Sequence, residues 1–551
     1  MATLAELQSE VYTGVGAGAS MIPEMDIFLE TCTFAASDHT TVTLGDSNVQ
    51  NTLVPNLYVG CVARIENAAS PEFNGFYVIK SNAANTITFN ETVGDADGDD
   101  DIDVTIMGFG APAPAPKVDG EMTLLSDNWL GLVNSITPPN VDVELGQLNL
   151  AVAGSRNYQY QFKKGETVTG GAMDLSINNG MWLYYALGKY TSGNNGFTLG
   201  SVDSNTVFAM ETDSGKIVRT IGGVEYPPLH ENNTSTELET ADLQKISGSG
   251  TLTYTFTEAN GDSLPSFALD VSYEKSNISN AEYSVGSAGT DTDTADPDTN
   301  HADIYSRIFT GCQVNSLTLN FEEGQELKGS LDFVSRRAFD SPIGYAPKRK
   351  VRSASSMINY GHVLGSASNA VVAASATDIE PYLFSGGSIK IFGNTVAKVK
   401  SGSIAINNNI TPQRFIGNYS RQITSQHIPG QRTYEMTLTM LITDTQLWNN
   451  LRAQGETTGS TAYSTTRAGE ESAGSAPLAA PHTGRLEFKF EKSTTDLIEL
   501  KFEDYIIQQV TVPFPEDKGP VEVEATISAR TLNSATYTGK WAILHSNTGS
   551  A

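Results

Sequence analysis

CQVNSLTLNFEEGQELKGSLDFVSRR, Cys312 to Arg337, decides the fold, because the chain writes it twice. Val314, Leu317, Leu319 and Phe321 lead into the turn EEGQ, and Leu327, Leu331 and Phe333 lead away from it. Near-alternate apolar residues on both sides of an acidic, Gly-containing turn predict a β-hairpin with one buried face. A second stretch of the same design, YIIQQVTVPFPEDKGPVEVEATISAR, runs from Tyr505 to Arg530. Each carries a Phe at the end of its first arm, acidic residues in the turn, and a closing Ser or Ala followed by Arg.

The likeness extends outward from the hairpins. GAMDLSINNGMWLYYALG, from Gly171, sets against TLTMLITDTQLWNNLRAQG, from Thr437. In each, an alternating strand runs into a polar cap and then a short helix. Leu175 and Ile177 fall on Met440 and Ile442, Asn179 on Asp444, and Ala186 on Leu451. Trp182, Leu183 and Ala186 share a helical face that Gly188 is placed to end. In the second copy Asp444 is a sound N-cap, and Leu447, Trp448 and Leu451 form the apolar stripe. LPSFALDV answers to RLEFKFE, and a hairpin follows each. An ordered series of this kind reads as an internal duplication. Two like surfaces on one chain let a ring of like units close with half as many subunits. The duplication therefore points to assembly rather than to chemistry.

The 551 residues exceed what one hydrophobic core holds, and 50 Gly with recurrent β-branched and turn residues favour an all-β architecture. The expected division is 1–117, an arm and a small barrel-like β domain; 118–340, a first module; 341–384, a connection; and 385–551, a second module. VGCVARI, GFYVIKS and NTITFNE supply the short alternating strands of the N-terminal domain. GVGAGAS before them reads as flexible chain, and APAPAPK, Ala111–Lys117, as a stiff extended linker. Tyr158, Tyr160 and Phe162 share one strand face in the first module. GSAGTDTDTADPDTNH reads as a mobile loop.

A formal charge of −29 disfavours a grip on nucleic acid or anionic lipid, since phosphate binding needs clustered Lys and Arg. It also suits concentrated salt, and halophily is one setting that fits. Three widely spaced cysteines, Cys32, Cys61 and Cys312, make no disulfide framework and no metal-ligand spacing. MATLAELQSEVYTG lacks the pattern of a secretory signal, and no apolar run approaches the ~20 residues that cross a bilayer. A soluble protein made in the cytosol is expected.

Catalytic patterns are absent from the sequence. His39, His230, His301, His362, His427, His482 and His545 are scattered, without HExxH spacing, and there is no GxSxG elbow and no phosphate-binding loop. Asp95–Asp103, DADGDDDID, is the best cation candidate, but its Gly98 stands fourth where an EF-hand loop needs Gly sixth, so an acidic turn is expected. DTDTADPDT, Asp291–Thr299, is weaker. Lys348–Arg352, KRKVR, is short and lacks interleaved aromatics, and reads as a source of interface salt bridges.

LPSFALDVSYEKS followed by FTGCQVNSLTLNFEEGQELKGSLDFVSRR resembles the closing strands of the tail tube (major tail) proteins of long-tailed, siphovirus-type viruses of bacteria and archaea. GAMDLSINNGMWLYYALGKY is similar to that family's strand-then-helix element. KVKSGSIAINNNI and SQHIPGQRTYEMTLTMLITDTQLWNNLR repeat the pattern in the second module. The resemblance covers roughly residues 140–340 and 385–545. It implies an all-β fold with short helices: two tandem tail-tube β-sandwich or barrel domains beside a small N-terminal β domain. It also implies a non-enzymatic virion protein without cofactor or metal, made in the host cytoplasm. Homotrimeric, pseudo-six-fold rings would stack into a hollow tube for genome passage. Its partners would be itself, the tape-measure, terminator and distal tail proteins, and viral DNA sliding through without specific binding; no membrane is involved. The expected assembly residues lie in the hairpins: Phe321, Glu322, Glu323, Glu326 and Leu327 in the first, Phe514, Glu516, Asp517 and Val521 in the second. The competing readings are another tube-fold tail or head–tail connector part, a β-rich adhesin or carbohydrate-binding protein, and a β-sandwich hydrolase.

Overall fold

The computed structural model describes residues 12–24, 26–35, 38–44, 53, 56–68, 70–83, 85–93, 102–112, 114–116, 122–124, 132–149, 156–195, 208–210, 217–221, 224–226, 251–259, 264–275, 304–340, 380–391, 394–395, 398–413, 426–441, 486–502, 504–511 and 519–539. Strand β1 (Tyr12–Pro23) comes first. A closed barrel follows, built from β2 (Ile27–Ala35), β3 (Asp38–Thr43), β4 (Val62–Glu66), β5 (Gly75–Asn82), β6 (Thr86–Phe89) and β7 (Ile102–Ile106) in the order β2-β3-β6-β5-β4-β7. Its alternating strands turn Leu29, Phe34, Ile65, Ile79, Ile87, Phe89 and Val104 inward. Closure leaves the barrel without an open edge.

GVGAGAS is not loose chain. Residues 18–23 pair antiparallel with Phe267–Ser272, because main-chain ladders need no large side chain and Gly and Ala fit a crowded edge. Nor is Ala111–Lys117 a bare linker. Ala111 is buried, Pro112 bridges to Glu24, and β8 (Pro114–Pro116) pairs with β9 (Met122–Leu124).

The first module contains β10 (Leu132–Thr137), β11 (Asn140–Leu148), β12 (Tyr160–Thr169), β13 (Ala172–Ser176), helix α1 (Met181–Leu187) and β14 (Gly188–Asn195). A three-stranded sheet follows, of β15 (Phe208–Met210), β16 (Ile217–Ile221) and β17 (Val224–Tyr226). Then come β18 (Thr251–Glu258), β19 (Phe267–Lys275), the long β20 (Ile304–Glu322), β21 (Lys328–Val334) and β22 (Arg337–Asp340). α1 is the only α-helix among the described residues and forms where its sequence says. Asn179 Oδ1 accepts the Met181 N–H (2.9 Å), every helical residue is buried, and Gly188 closes the helix at a φ of 109°.

The second module holds β23 (Gly387–Ile391), β24 (Asn394–Thr395), β25 (Val399–Asn407), β26 (Thr411–Gln413), β27 (Gln426–Ile428), β28 (Thr433–Leu441), β29 (Leu486–Ser493), β30 (Asp496–Phe502), β31 (Tyr505–Thr511), β32 (Glu522–Ala529) and β33 (Ser534–Gly539).

The duplication is written in the hydrogen bonding. One sheet runs β10-β13-β21-β20-β25-β28-β32-β31. Its first four strands and its last four are the same four elements in the same order. Registers correspond residue for residue: Val133↔Leu175 answers to Val399↔Met440, and Met173↔Leu331 to Leu438↔Ala525. Even the β-bulges repeat. Register shifts fall at Val133/Ser135 and Val399/Ser401, and again at Val314/Ser316 and Ile507/Gln509. Behind this sheet, β1-β19-β20-β22 in the first module answers to β23-β29-β30-β33 in the second, with β18 and β14 extending the latter through β33. Each module is thus a β-sandwich, and their facing apolar rows form one continuous core.

The sequence readings of the Asp444-capped helix, the 286–301 loop, Lys348–Arg352 and most of Asp95–Asp103 lie outside the described residues. Asp103 itself accepts a hydrogen bond from the Asn67 amide (2.5 Å).

Candidate assembly surface

The first hairpin is where the two modules join. Strand β20 pairs with β21 on one side and β25 on the other, in seven successive partners from Ser316↔Asn407 to Glu322↔Ser401. Phe321 is 2% exposed, its ring 5.4 Å from that of Phe490 and 6.1 Å from that of Phe488. It lies over Gly402, where a Cβ would stand 2.5 Å from the Phe321 ring. Leu327 is fully buried, and its N–H donates to the Tyr382 carbonyl (2.7 Å). Glu322 and Glu323 are exposed, and Glu323 N–H donates to the Lys400 carbonyl (2.9 Å). Glu326 is half-buried, 4.0 Å from Lys328. The first turn therefore reaches the chain's own second module. Of the second hairpin, Val521 is exposed, while Phe514, Glu516 and Asp517 lie outside the described residues.

The modules are also tied from behind. Asn408 Nδ2 donates to the carbonyls of Val314 (2.9 Å) and Ala186 (3.0 Å), and Arg432 donates to Asn408 Oδ1 (2.7 Å) and to the Leu187 carbonyl (3.2 Å). Second-module side chains thus satisfy the last carbonyls of α1.

The sheet ends in two unlike edges, β10 and β31. Its face away from the core is polar. Ser316, Thr318, Asn320, Ser403, Asn407, Thr437, Thr439, Thr526 and Ser528 alternate with buried apolar neighbours. Among them stand Asp174, Glu322, Asp332, Glu435, Glu522 and Glu524, against Lys328 and Lys400. Hydroxyls link these carboxylates across strands: Ser135 and Ser330 both donate to Asp174 (2.7 and 3.1 Å), and Ser316 to Asp332 (3.0 Å). Lys400 is held by Glu522 at 2.5 Å.

The first module departs from the second at one level. Pro138 and Pro139 separate β10 from β11, and Gly170 and Gly171, at φ of 72° and 129°, separate β12 from β13. In the second module the same positions are Ile404 paired with Met436 and Ala405 with Glu435. The prolines thus stand opposite the glycines. Beyond this hinge the ribbon continues as an arm, β11–β12, where the second module shows, among the described residues, the three-residue strands β26 and β27. Tyr158, Tyr160 and Phe162 do share a face, and it is exposed together with Leu148. Gly146 lies under the Phe162 ring. An alignment of the two copies would have shown the proline and glycine pairs; exposure of the arm was not readable from alternation alone.

Buried charge fixes the barrel to the first module. Glu24 Oε1 accepts the Gly311 N–H (2.6 Å), and Oε2 accepts the Gly110 N–H (2.7 Å) and the Ser266 hydroxyl (2.5 Å). Burial pushes its carboxyl up to about 7 against these lowering contacts. Arg336, 2% exposed, donates to the Gly60 carbonyl and the Cys61 sulfur (3.3 Å) and lies 5.5 Å from the Phe109 ring centre. Phe109 meets His427 edge-on at 5.3 Å. Burial, and then Arg336, lower the His427 pKa to about 4. Gly110 and Gly311 have positive φ and abut Arg336, so neither position admits a side chain without strain.

Among the described residues, no group of three or more His, Cys, Asp or Glu could hold a metal ion. Among the same residues, no helix is long and apolar enough to cross a membrane. What the fold defines is a tandem β-sandwich with one shared sheet that ends, among the described residues, in two unpaired edges. The phage tail tube protein family matches residues 108–531, and the chain belongs to that family. No curated protein matches the chain. Membership makes it a structural component of the virion tail, in a family that is not one of enzymes.

Proposed function

We propose that the chain self-assembles into homotrimeric, pseudo-six-fold rings that stack into the hollow tail tube of a siphovirus-type virus, through which the genome passes. The continuous sheet carries this reading. Two modules already sit side by side as neighbours in a ring would, and the edges left over, β31 and the ribbon of β10 and β11, are the ones that the same operation would join. Unlike edges give head-to-tail contacts, which generate rings where the rotation closes.

Size favours three copies. Eight strands per chain at ~4.8 Å spacing give, for three chains, a backbone diameter of about 37 Å, and for two chains only about 24 Å. Once side chains fill the wall, the smaller ring leaves too little bore for a duplex. With the core face packed against the second sheet, the polar face is the one turned to the bore. Its Asp and Glu residues, set among hydroxyls, repel phosphate and let DNA slide. The aromatic face of the β11–β12 arm suits contact with an adjacent ring, since exposed apolar patches of this kind mark interaction sites. Tape-measure, terminator and distal tail proteins would then meet the bore and the tube ends, and synthesis would take place in the host cytoplasm.

Electron microscopy of purified protein tests the assembly. Tubes or stacked rings of three chains are expected; a monodisperse monomer at all concentrations, with and without tail partners, would overturn it.

A further inference from the structure

Because the two modules repeat residue for residue, the seam inside the chain specifies the seam between chains. Within the chain, β20 meets β25 as Ser316↔Asn407 and Leu317↔Ile406, and the ladder runs on without a break to Glu322↔Ser401. The strand equivalences convert each partner. Ser316 opposes Asp332 as Gln509 opposes Thr526, and Leu317 opposes Leu331 as Val510 opposes Ala525. Asn407 opposes Thr433 as Val141 opposes Val168, and Ile406 opposes Tyr434 as Asn140 opposes Thr169. The ribbon has therefore resumed the common register immediately beyond the hinge.

We propose that the β31 edge of one copy receives the root of the β11 arm of the next copy, with Gln509 opposite Val141 and Val510 opposite Asn140, and that the ladder ends at Thr511 opposite Pro139. This deepens, and rests on, the tube reading above. Gln509 and Thr511 are exposed and Val510 half-buried at this edge, and Asn140 is exposed with Val141 half-buried. The continuity of the sheet names the occupant: a second copy of the same chain, presenting the element that β20 already holds in this one.

The two seams differ in one physical respect. Where the internal ladder continues through Ala405 and Ile404, the partner edge has Pro139 and Pro138. Proline has no N–H to donate, and its ring holds the strand off the regular pleat. The outer edge of the first module is thereby guarded against indiscriminate pairing, which is how natural sheets keep exposed strands from aggregating. The internal seam, made once at folding, has no such interruption. Ring closure is consequently the weaker joint of the two.

Cysteine pairs test the register, because Cys32, Cys61 and Cys312 are all buried. Directly opposed Cβ atoms lie about 4.5–5.5 Å apart, a small adjustment from disulfide geometry. In assembled tubes, Val141→Cys with Gln509→Cys should oxidise to covalent trimers. Ser316→Cys with Asn407→Cys should bridge within one chain. Val143→Cys with Gln509→Cys, two residues out of register, should stay monomeric on denaturing gels. Tubes in which the internal pair bridges but the Val141/Gln509 pair does not would overturn this register and leave the tube reading standing. Val141/Gln509 bridges inside dilute monomers would likewise overturn it. Absence of any rings or tubes from the unmodified protein would instead overturn the tube reading. Replacing Pro138 and Pro139 by the second-module residues, Pro138→Ile with Pro139→Ala, should lower the threshold concentration for assembly about tenfold, the effect of one strong main-chain hydrogen bond. An unchanged or raised threshold would overturn the guarding role.

Discussion

Phe321→Ala separates the seam inside the chain from the seam between chains. The Phe321 ring fills space that Gly402 leaves open and packs on Phe488 and Phe490. Truncation removes a ring that is 2% exposed, and the facing residue has no side chain that could move into the void. Buried Phe→Ala changes cost about 3–5 kcal/mol, and a site that cannot collapse falls in the upper half of that range, about 4 kcal/mol. The soluble chain should therefore unfold at distinctly lower guanidinium concentration, followed by near-ultraviolet circular dichroism at a concentration below the assembly threshold. Val521→Ala, at an exposed position of the second hairpin, should change the soluble chain by less than ~1 kcal/mol and instead raise the concentration needed for assembly, read by sedimentation. Equal destabilisation of the soluble chain by both variants would refute the reasoning. So would a loss of less than ~1 kcal/mol from Phe321→Ala.

Further expectations concern the barrel joint, the arm and the polar face. Glu24, raised from 4.5 to about 7, binds its proton more tightly folded than unfolded, so its contribution is complete below about pH 4.5 and is lost as pH rises through 7. That shift is worth on the order of 3 kcal/mol. His427, lowered from 6.5 to about 4, acts in the opposite sense: its contribution is complete above pH 6.5 and fades as pH falls toward 4. The two offset one another between about pH 4.5 and 6.5, and Glu24→Gln should leave only the acid-side loss in a thermal-denaturation pH series; an unchanged profile would count against a buried Glu24 that holds its proton more tightly in the folded chain. Tyr158→Ser with Tyr160→Ser and Phe162→Ser should leave the soluble chain within ~1 kcal/mol of its stability, because these side chains are exposed, and should shorten tubes under the electron microscope. Glu435→Lys with Glu524→Lys on the open face should allow tubes to assemble while slowing DNA release from virions, most visibly at low salt, because added cations grip phosphate. Release at the normal rate would exclude this face from the bore.

Local pattern carried a great deal of the fold because its causes are local. The period of two in TYEMTLTML and EVEATISA follows from the pleat, and both strands bury alternate residues as written. Gly188 ends α1 because only Gly tolerates its backbone cheaply, and that requirement is visible in one residue. GVGAGAS misled for the converse reason. Strand pairing is a property of the partner edge on β19, and a run of Gly and Ala gives no local sign of it.

The candidate site divides in the same way. The sequence by itself determined that two like modules exist and that each ends in an amphipathic hairpin, because composition, alternation and repetition are stored in residue order. Only the tertiary structure brought Phe321 opposite Gly402, in a ladder between the two modules of one chain. The pairing of β20 with β25 joins residues far apart in sequence, and either edge pattern would have suited a neighbour equally well. The same holds for Glu24 and Arg336, whose charges are tolerable only because distant main-chain groups, Gly311 N–H for one and the Gly60 carbonyl for the other, arrive to meet them. Proximity of that kind is a consequence of packing, and no one-dimensional pattern encodes it.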